Sequence, residues 1–359
     1  MRKEIQDRKE RVRQAAAALG ADTLLAKGSA DVFYLSGFTG DAGVLLIEPT
    51  DAMLFTDGRF ETQAKDESPF TELRVVRGKL DTAVGEYLSR KARKVAYAPS
   101  QWTLTSWRVL HRAAGARTRW REAEDLVAGL RAVKSPMEVG AIRDAGKVAC
   151  EVMEEVIGLV RPGVAELDLA AEIGYRLRRR GAGGESFESI VASGERTALP
   201  HARASERRIG KNELVVLDLG AILRRYCSDL TRTVFVGRAP ARIRKWYKAI
   251  QEAHAIAREC LAPGVAAGEV DRAARQVLDG HRIGTHFVHS TGHGIGLEIH
   301  EEPRLARGQQ QRLKAGMVVT IEPGVYIPGT GGIRIEDDVL VTANGSELLT
   351  QLERDLVEL

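Results

Sequence analysis

The chain has 359 residues, a length that allows two or three domains. Hydrophobic residues make up 44% and charged residues 28%, an ordinary globular balance that excludes disordered and fibrous classes of protein. The 53 basic and 49 acidic side chains leave a net charge of only +4, and no apolar run approaches the roughly 18 residues that span a bilayer, so the composition favours neither nucleic acid nor a membrane as a partner.

The first 130 residues alternate between helical and strand patterns. Residues 4–19 predict an amphipathic helix rather than a signal peptide, because acidic residues interrupt any apolar segment. Further helices are predicted in TDGRFETQAKDE (56–67) and at 103–114, among strands at Thr23–Ala26, Gly43–Ile47, Ala52–Thr56 and 94–98. This alternation predicts an α/β domain over residues 1–130, in which no ligand cluster stands out.

The three cysteines, Cys150, Cys227 and Cys260, lie far apart and form no CxxC motif. A chain of this size does not need disulfides to fold, and an odd count leaves at least one thiol unpaired. We therefore expect reduced thiols and a cytoplasmic protein.

A helix start marks the beginning of a second domain. Ser135 and Glu138 have the spacing of a capping box, with Pro136 at the first helical position. A long helix is therefore predicted to begin at Pro136, and the preceding LRAVK segment is predicted to be a hinge. The second domain is predicted to span residues 131–359.

An internal repeat follows this helix start. Residues 146–177 match residues 246–278, and each copy reads as a helix, a Pro-Gly-Val turn and a second helix. The strands that follow, 216–220 and 320–324, match in the same order. Pro-Gly turns between amphipathic helices are common, but the matching strands favour a duplication, so we predict two related halves.

Each predicted half carries two carboxylates on paired strands. In the first half, Asp218 lies in a buried-type strand and Asp229 in the next strand. A hairpin turn near Leu223–Arg224 would set Asp218 directly across from Asp229, where Cβ atoms lie about 4.5–5.5 Å apart. In the second half, a turn in the PGTGG segment would set Glu322 across from Glu336.

If a pseudo-two-fold axis relates the halves, these four carboxylates converge. By strand alternation Asp337 would point to the opposite face, and Asp338 would return to the face of Glu336. Strand-end carboxylates that face solvent are the alternative, but the same pair in both halves argues against it. About four negative charges on hard oxygen atoms fit two divalent cations, which in two-metal sites generate a nucleophilic hydroxide at neutral pH.

Four histidines lie near these strands in the sequence. His293 sits in TGHGIG, where the small residues predict a tight loop, and His289 and His300 flank it. His201 lies in the polar segment ALPHARAS. A single histidine is usually a surface or structural residue, but imidazole is also a ligand for Mn, Co, Fe or Zn and transfers protons near neutral pH.

The combination of motifs resembles the metallopeptidase family of Xaa-Pro aminopeptidases and prolidases. The N-terminal segments YLSGFTGDAGVLLIEP and LFTDGRFETQA are similar to its creatinase-like domain, and the similarity continues through the junction LRAVKSPMEVGAIRDA. In the second domain the similar motifs are LPHARAS, VVLDLG, SDLTRT, HSTGHGIGLEIHEEPR, TIEPGVY and GGIRIEDD. The resemblance implies a small creatinase-like α/β domain followed by a duplicated pita-bread catalytic domain of the α/β (α+β) class.

The resemblance also implies a site. It assigns two divalent ions, Mn²⁺ or Co²⁺ with Zn²⁺ as a further option, to five ligands: Asp218, Asp229, His293, Glu322 and Glu336. Asp229 and Glu336 would bridge both ions. As a ligand with a free oxygen, Glu322 is the best candidate to carry the proton to the leaving nitrogen. His201, His289 and His300 would line the substrate site, and Arg334 would orient the ligand shell.

The implied activity is hydrolysis of the bond between an N-terminal residue and a penultimate proline in peptides, by a cytoplasmic homodimer. The alternative is a prolidase restricted to Xaa-Pro dipeptides. In that case Arg203 or Arg304 would bind the free proline carboxylate. A creatinase-type amidinohydrolase works without metals and a non-catalytic homologue would lack a ligand, so the intact ligand set disfavours both; methionine aminopeptidase lacks the N-terminal domain.

Overall fold

The structure, a computed structural model, describes residues 2–359. It divides into two compact units, one that ends at Arg131 and one that spans Ala132–Leu359. Of the helices in the described residues, none is long and apolar enough to cross a membrane.

The first unit is a sheet covered by helices. Its helices are α1 (Arg2–Ala18), α2 (Ser29–Ser36), α3 (Glu61–Glu67), α4 (Leu80–Ser89), α5 (Leu104–Ala114) and α6 (Asp125–Ala132). Its strands are β1 (Thr23–Ala26), β2 (Gly43–Ile47), β3 (Ala52–Asp57), β4 (Glu72–Val76), β5 (Arg93–Tyr97) and β6 (Thr118–Glu122), in the spatial order β4-β3-β2-β1-β5-β6. The predicted strands and helices of this region are confirmed, although the helix predicted within 56–67 begins only at Glu61. Helices α2, α4 and α6 and strands β4 and β6 were not predicted.

The second unit contains two similar halves. The first half holds α7 (Pro136–Ile157), α8 (Glu166–Arg179), β7 (Gly184–Glu185), β8 (Ile190–Ser193), β9 (Glu213–Leu219), β10 (Ala221–Leu223), β11 (Tyr226–Cys227) and β12 (Leu230–Val236). The second holds α9 (Ala241–Glu259), α10 (Ala267–Gly280), β13 (Gly292–Gly294), β14 (Glu301–Leu305), β15 (Val318–Ile321), β16 (Gly324–Ile327), β17 (Gly331–Arg334), β18 (Asp337–Thr342) and β19 (Gly345–Leu348). The helices of the first half pack on one apolar core and those of the second half on another, to which Leu214 and Phe235 of the first half also contribute.

The start of α7 has the predicted capping box. The Ser135 backbone N–H donates to Glu138 Oε2 at 2.9 Å, and the Glu138 backbone N–H donates to Ser135 Oγ at 3.3 Å. These reciprocal bonds satisfy two donors that a helix start leaves free.

The predicted repeat is present in three dimensions. The turn between α7 and α8 has Gly163 at φ +92°, and the turn between α9 and α10 has Gly264 at φ +89°. The Gly163 N–H donates to Ile209 O at 2.8 Å and the Gly264 N–H to Leu313 O at 2.9 Å. Both glycines therefore occupy the same conformation against the same kind of neighbour, as a duplication requires.

The first hairpin corrects a prediction of register. Its turn is formed by Arg224 and Arg225, both at positive φ (50° and 74°), and lies one residue later than predicted. A shift of one residue in a turn moves the pairing by two residues, so Asp218 pairs with Thr231 and not with Asp229. The prediction that Asp218 lies directly across from Asp229 is therefore wrong.

The second hairpin has the predicted register. Ile321 pairs with Asp337 on one side and Gly324 with Arg334 on the other, in one continuous register that sets Glu322 across from Glu336. The two halves thus do not repeat the same carboxylate pair, since Thr231 takes the position that Glu336 has in the second half.

Candidate metal centre

A cavity of about 700 Å³ opens between the two halves of the second unit. All of the site residues predicted from the sequence line it: Asp218, Asp229, His201, His289, His293, His300, Glu322, Arg334 and Glu336. Other residues of its wall include Phe187, Ile190, Ile299, Arg203 and Arg304. The hairpins and the β13 segment therefore bring the predicted site together from separate parts of the sequence.

The carboxylates come from strand ends. Asp218 lies near the end of β9 and Asp229 directly before β12, while Glu322 directly follows β15 and Glu336 lies between β17 and β18. Asp229 is two residues from Thr231, the partner of Asp218, so strand alternation keeps it on the face of the cavity. The observed register therefore changes the spacing between Asp218 and Asp229, but both side chains still face the cavity.

His293 lies in a strand and not in the predicted tight loop. Strand β13 pairs with both β14 and β15. A Cβ at Gly292 would lie 1.9 Å from Thr320 O, and one at Gly294 would lie 2.2 Å from Glu302 O. The small residues are thus required because two neighbouring backbones approach this strand closely.

The His293 ring presents a lone pair to carboxylates. Its Nδ1 is 3.0 Å from Gly294 O, a contact in which only the nitrogen can donate. The other nitrogen, Nε2, is then an acceptor, and it lies 3.7 Å from both Asp229 Oδ2 and Glu322 Oε1. Acceptors that face each other repel unless a cation lies between them, so this orientation favours a metal ligand.

Burial of the carboxylates also favours a cation in the cavity. Burial, followed by the neighbouring carboxylates, raises the pKa values of Asp229 and Glu336 well above their usual range. Burial also raises the pKa of Glu322 to about 8 and lowers that of His293 to about 4. Positive charge in the cavity would oppose the effect of burial on the carboxylates.

The carboxylates leave oxygen atoms free for such a charge. The Oδ1 atoms of Asp218 and Asp229 are buried and accept no hydrogen bond from any described residue. One ligand atom from each of Asp229, His293 and Glu336 lies within 4.8 Å of the other two. Hard oxygen atoms and one imidazole form a donor set that fits a divalent cation.

Arg334 and His289 are joined through a residue that the sequence reasoning missed. Arg334 donates through Nη2 to Asp218 Oδ2 and through Nη1 to the Tyr326 hydroxyl at 2.7 Å. The Tyr326 hydroxyl is 2.9 Å from His289 Nε2, and His289 Nδ1 is 2.8 Å from Ser290 O. The only available signal for Tyr326 was its position four residues after Glu322 in TIEPGVY.

The remaining histidines lie nearer to the mouth of the cavity. The His300 ring centroid is 4.3 Å from that of His293, and both His201 and His300 are exposed. Two residues outside the predicted site also support the carboxylates: Thr231 Oγ1 donates to Glu336 Oε2 at 2.6 Å, and Asp338 Oδ2 accepts from the Asp229 N–H at 2.9 Å. Threonine in a strand gives no sequence signal for such a contact.

Comparison with known proteins gives matches over both units. Residues 140–343 match metallopeptidase family M24, and residues 8–133 match the creatinase/prolidase N-terminal domain. The chain is 37% identical over 329 residues to a Xaa-Pro dipeptidase of Pyrococcus furiosus, an alignment that covers 91% of this chain and 92% of that protein.

Solved structures are similar over almost the whole chain. A Xaa-Pro dipeptidase from Bacillus anthracis superposes with a TM-score of 0.95 at 36% identity, covering 99% of this chain and 100% of that chain. An X-Pro aminopeptidase from Thermotoga maritima superposes with a TM-score of 0.88 at 33% identity, covering 96% and 100%.

Proposed function

We propose that this chain, which belongs to metallopeptidase family M24, hydrolyses the peptide bond between an N-terminal residue and a proline. The observation that carries the proposal is the meeting of five metal-ligand side chains in one cavity, with free carboxylate oxygens and an imidazole lone pair directed at each other. The similar proteins named as Xaa-Pro dipeptidase and X-Pro aminopeptidase support proline as the second residue of the substrate.

The ligand set supports two divalent ions, held by Asp218, Asp229, His293, Glu322 and Glu336. When bound, such ions activate water at neutral pH and place positive charge at the substrate carbonyl. Four carboxylates with a single imidazole are harder than the usual zinc set, so we propose Mn²⁺ or Co²⁺ as the effective ions.

Side chains around the ligands support the remaining steps. Glu322 Oε1 points toward the ligand His293, whereas Oε2 lies 3.8 Å from His289 Nδ1. With Oε1 as the metal ligand, Oε2 is available to carry a proton to the leaving nitrogen. His300 lies beside His293 and is placed to stabilise the negative oxygen that develops at the carbonyl. Arg334 and the Tyr326–His289 contact hold Asp218 and the cavity wall in place.

The experiment that tests this function uses protein stripped with a chelator and reloaded with Mn²⁺, Co²⁺ or Zn²⁺. We expect hydrolysis of Ala-Pro-Ala to return with Mn²⁺ or Co²⁺, and a much lower rate with Ala-Ala-Ala, which lacks the proline. Creatine serves as the substrate of the alternative amidinohydrolase. Full peptidase activity in the stripped protein, or turnover of creatine, would contradict the proposal.

A second candidate function is a peptidase restricted to Xaa-Pro dipeptides, and Arg304 favours it. Its backbone pairs with His293 across β13 and β14, its side chain lines the cavity, and its guanidinium forms no ion pair or hydrogen bond with any described residue. A free guanidinium here could bind the carboxylate of a C-terminal proline. Arg203 is less available, since it lies 3.5 Å from Glu188.

The two functions differ in the length of substrate that they accept. We expect the wild type to hydrolyse Ala-Pro-Ala at least as well as Ala-Pro, as an aminopeptidase does, and Arg304→Gln to leave the ratio of the two kcat/KM values nearly unchanged. A strong preference for Ala-Pro that Arg304→Gln abolishes would instead establish the dipeptidase.

We further propose a cytoplasmic homodimer. Three unpaired cysteines, two of them buried, support a reducing compartment. All described residues that line the cavity belong to the second unit, so the creatinase-like unit is available for contacts between subunits.

A further inference from the structure

A buried arginine lies behind the cavity, where the strands of the two halves meet. Arg232 is 2% exposed and lies on β12, three residues after Asp229. All five of its N–H groups have acceptors, a complete set for a guanidinium. The acceptors are Glu353 O (2.8 Å), Thr231 O (2.9 Å), Glu336 O (2.7 Å), Leu352 O (2.7 Å) and Asp337 Oδ1 (2.9 Å).

Two of these acceptors are backbone carbonyls at or near two of the proposed ligands, Asp229 and Glu336. Arg232 Nη1 donates both to the carbonyl of Thr231, two residues after Asp229, and to the carbonyl of Glu336. The Glu336 N–H donates to the same Thr231 carbonyl at 3.2 Å. The guanidinium therefore joins the two backbones at the point where one half of the repeat meets the other.

The neighbouring residue completes this support from the opposite face. Strand alternation turns Thr231 into the cavity and Arg232 away from it. Thr231 Oγ1 holds the Glu336 carboxylate, while Arg232 holds the Glu336 carbonyl. Glu336 is thus fixed at both its side chain and its backbone by adjacent residues of the other half.

The charge of Arg232 is balanced without using the cavity. Asp337 is fully buried and also contacts Arg354 Nε at 2.6 Å and His254 Nε2 at 3.1 Å. Buried ion pairs contribute little net stability compared with apolar residues of similar volume, because removing the charges from water is costly. An apolar pair could fill this space, but it could not bind the carbonyls of two strands, so the arrangement fits a positioning role better than a stabilising one.

We propose that Arg232 is a positioning residue of the metal centre, which sets the spacing of Asp229 and Glu336 from behind the cavity. The inference rests on the proposed metal site. Sites of this kind need their ligands held to within about 0.5 Å of the required geometry by supporting hydrogen bonds. The carbonyls of Leu352 and Glu353 complete the arginine's set of acceptors, so the C-terminal segment belongs to the same support.

The test compares Arg232→Lys with Arg354→Lys in the full chain. Both arginines bind Asp337, but Arg354 contacts neither the Thr231 nor the Glu336 carbonyl, so it is a matched control. Mn²⁺ binding to the stripped proteins is measured by calorimetry, beside thermal unfolding without metal and kcat and KM at saturating Mn²⁺. We expect Arg232→Lys to weaken Mn²⁺ binding about 10- to 100-fold and to lower kcat more than it raises KM. Arg354→Lys should stay within about twofold of the wild type in both readouts, a margin well below that expected for a positioning contact.

Wild-type Mn²⁺ affinity in Arg232→Lys, or equal losses in both variants, would overturn the proposal. If Arg232→Lys does not fold, Arg232→Gln and Arg354→Gln replace the pair, and failure of both Arg232 variants to fold would assign the residue to the fold alone. A wild type that binds no Mn²⁺ would overturn the proposed function first and this inference with it.

Discussion

At the level of single residues, the site is a cluster of buried carboxylates. Asp229, Glu322 and Glu336 have raised pKa values because they are buried together. Arg334 is directed at Asp218, and the positive charge needed by the other carboxylates is what a metal would supply. Each of these side chains is therefore expected to affect metal binding or turnover far more than stability.

Glu322 has two roles in the proposal, as a ligand and as a proton carrier. We expect Glu322→Gln to lower kcat about 10²- to 10⁴-fold while KM changes little, because an amide cannot transfer the proton. The measurement is steady-state kinetics with the metal content of each preparation determined.

The matched control is Glu188→Gln, which changes an exposed carboxylate of the same cavity that is not among the predicted ligands. It should retain most of the activity. An unchanged kcat in Glu322→Gln with both metals bound would remove Glu322 from the proton-transfer role.

At the scale of elements, tight strand contacts decide where the ligands lie. The turn of the first hairpin at Arg224–Arg225 sets the pairing of β9 with β12, and β13 is held between β14 and β15. A substitution that disturbs either contact would therefore displace a carboxylate or His293, even though the ligand residues themselves are unchanged.

Gly292 offers a test of this dependence. A Cβ there would lie 1.9 Å from Thr320 O, so Gly292→Ala must push β13 away from β15. We expect a loss of about 1–3 kcal/mol in unfolding free energy, together with weaker metal binding through the displaced His293. Chemical denaturation and Mn²⁺ titration measure the two effects.

Gly140, in the interior of α7, is the control, since a Cβ there meets nothing within 4 Å. Gly140→Ala should stabilise the protein by about 0.5–1 kcal/mol, because alanine favours the helix. Equal stability and metal affinity in Gly292→Ala and the wild type would show that β13 tolerates the side chain.

At the scale of the whole molecule, duplication explains how the site is assembled. Each half supplies two carboxylates to one cavity, and β13 of the second half adds the imidazole. Family membership and the similar structures confirm the predicted fold class, a creatinase-like α/β domain followed by a duplicated pita-bread domain, and confirm a peptidase.

Among the described residues, none of the creatinase-like unit lines the cavity. We expect this unit to mediate a homodimer, so light scattering should give twice the mass of one chain at micromolar concentration. The control is a dilution series of the full chain, since deleting residues 2–131 would remove a whole folded unit. A single-chain mass at all concentrations would contradict the dimer.

Sequence patterns predicted those features of the fold that depend on neighbouring residues or on a repeated segment. The capping box at Ser135 follows from side chains three residues apart, and the repeat follows from two matching Pro-Gly-Val turns. The chemistry of the site was also predictable in kind, because carboxylates in apolar strands require a compensating charge.

The register of the first hairpin and the contacts of Arg232 became visible only in the folded chain, because they depend on backbone geometry and on segments far apart in the sequence. Sequence patterns place Asp218 and Asp229 on or beside paired strands. Two arginines at positive φ shift the pairing of these strands by two residues, and residue type does not predict that conformation. Arg232 reads as one more charged residue in SDLTRT, and only folding brings it to carbonyls more than 100 positions away. Local patterns specify which groups must be buried, whereas the partners that satisfy them are set by the packing of the two halves.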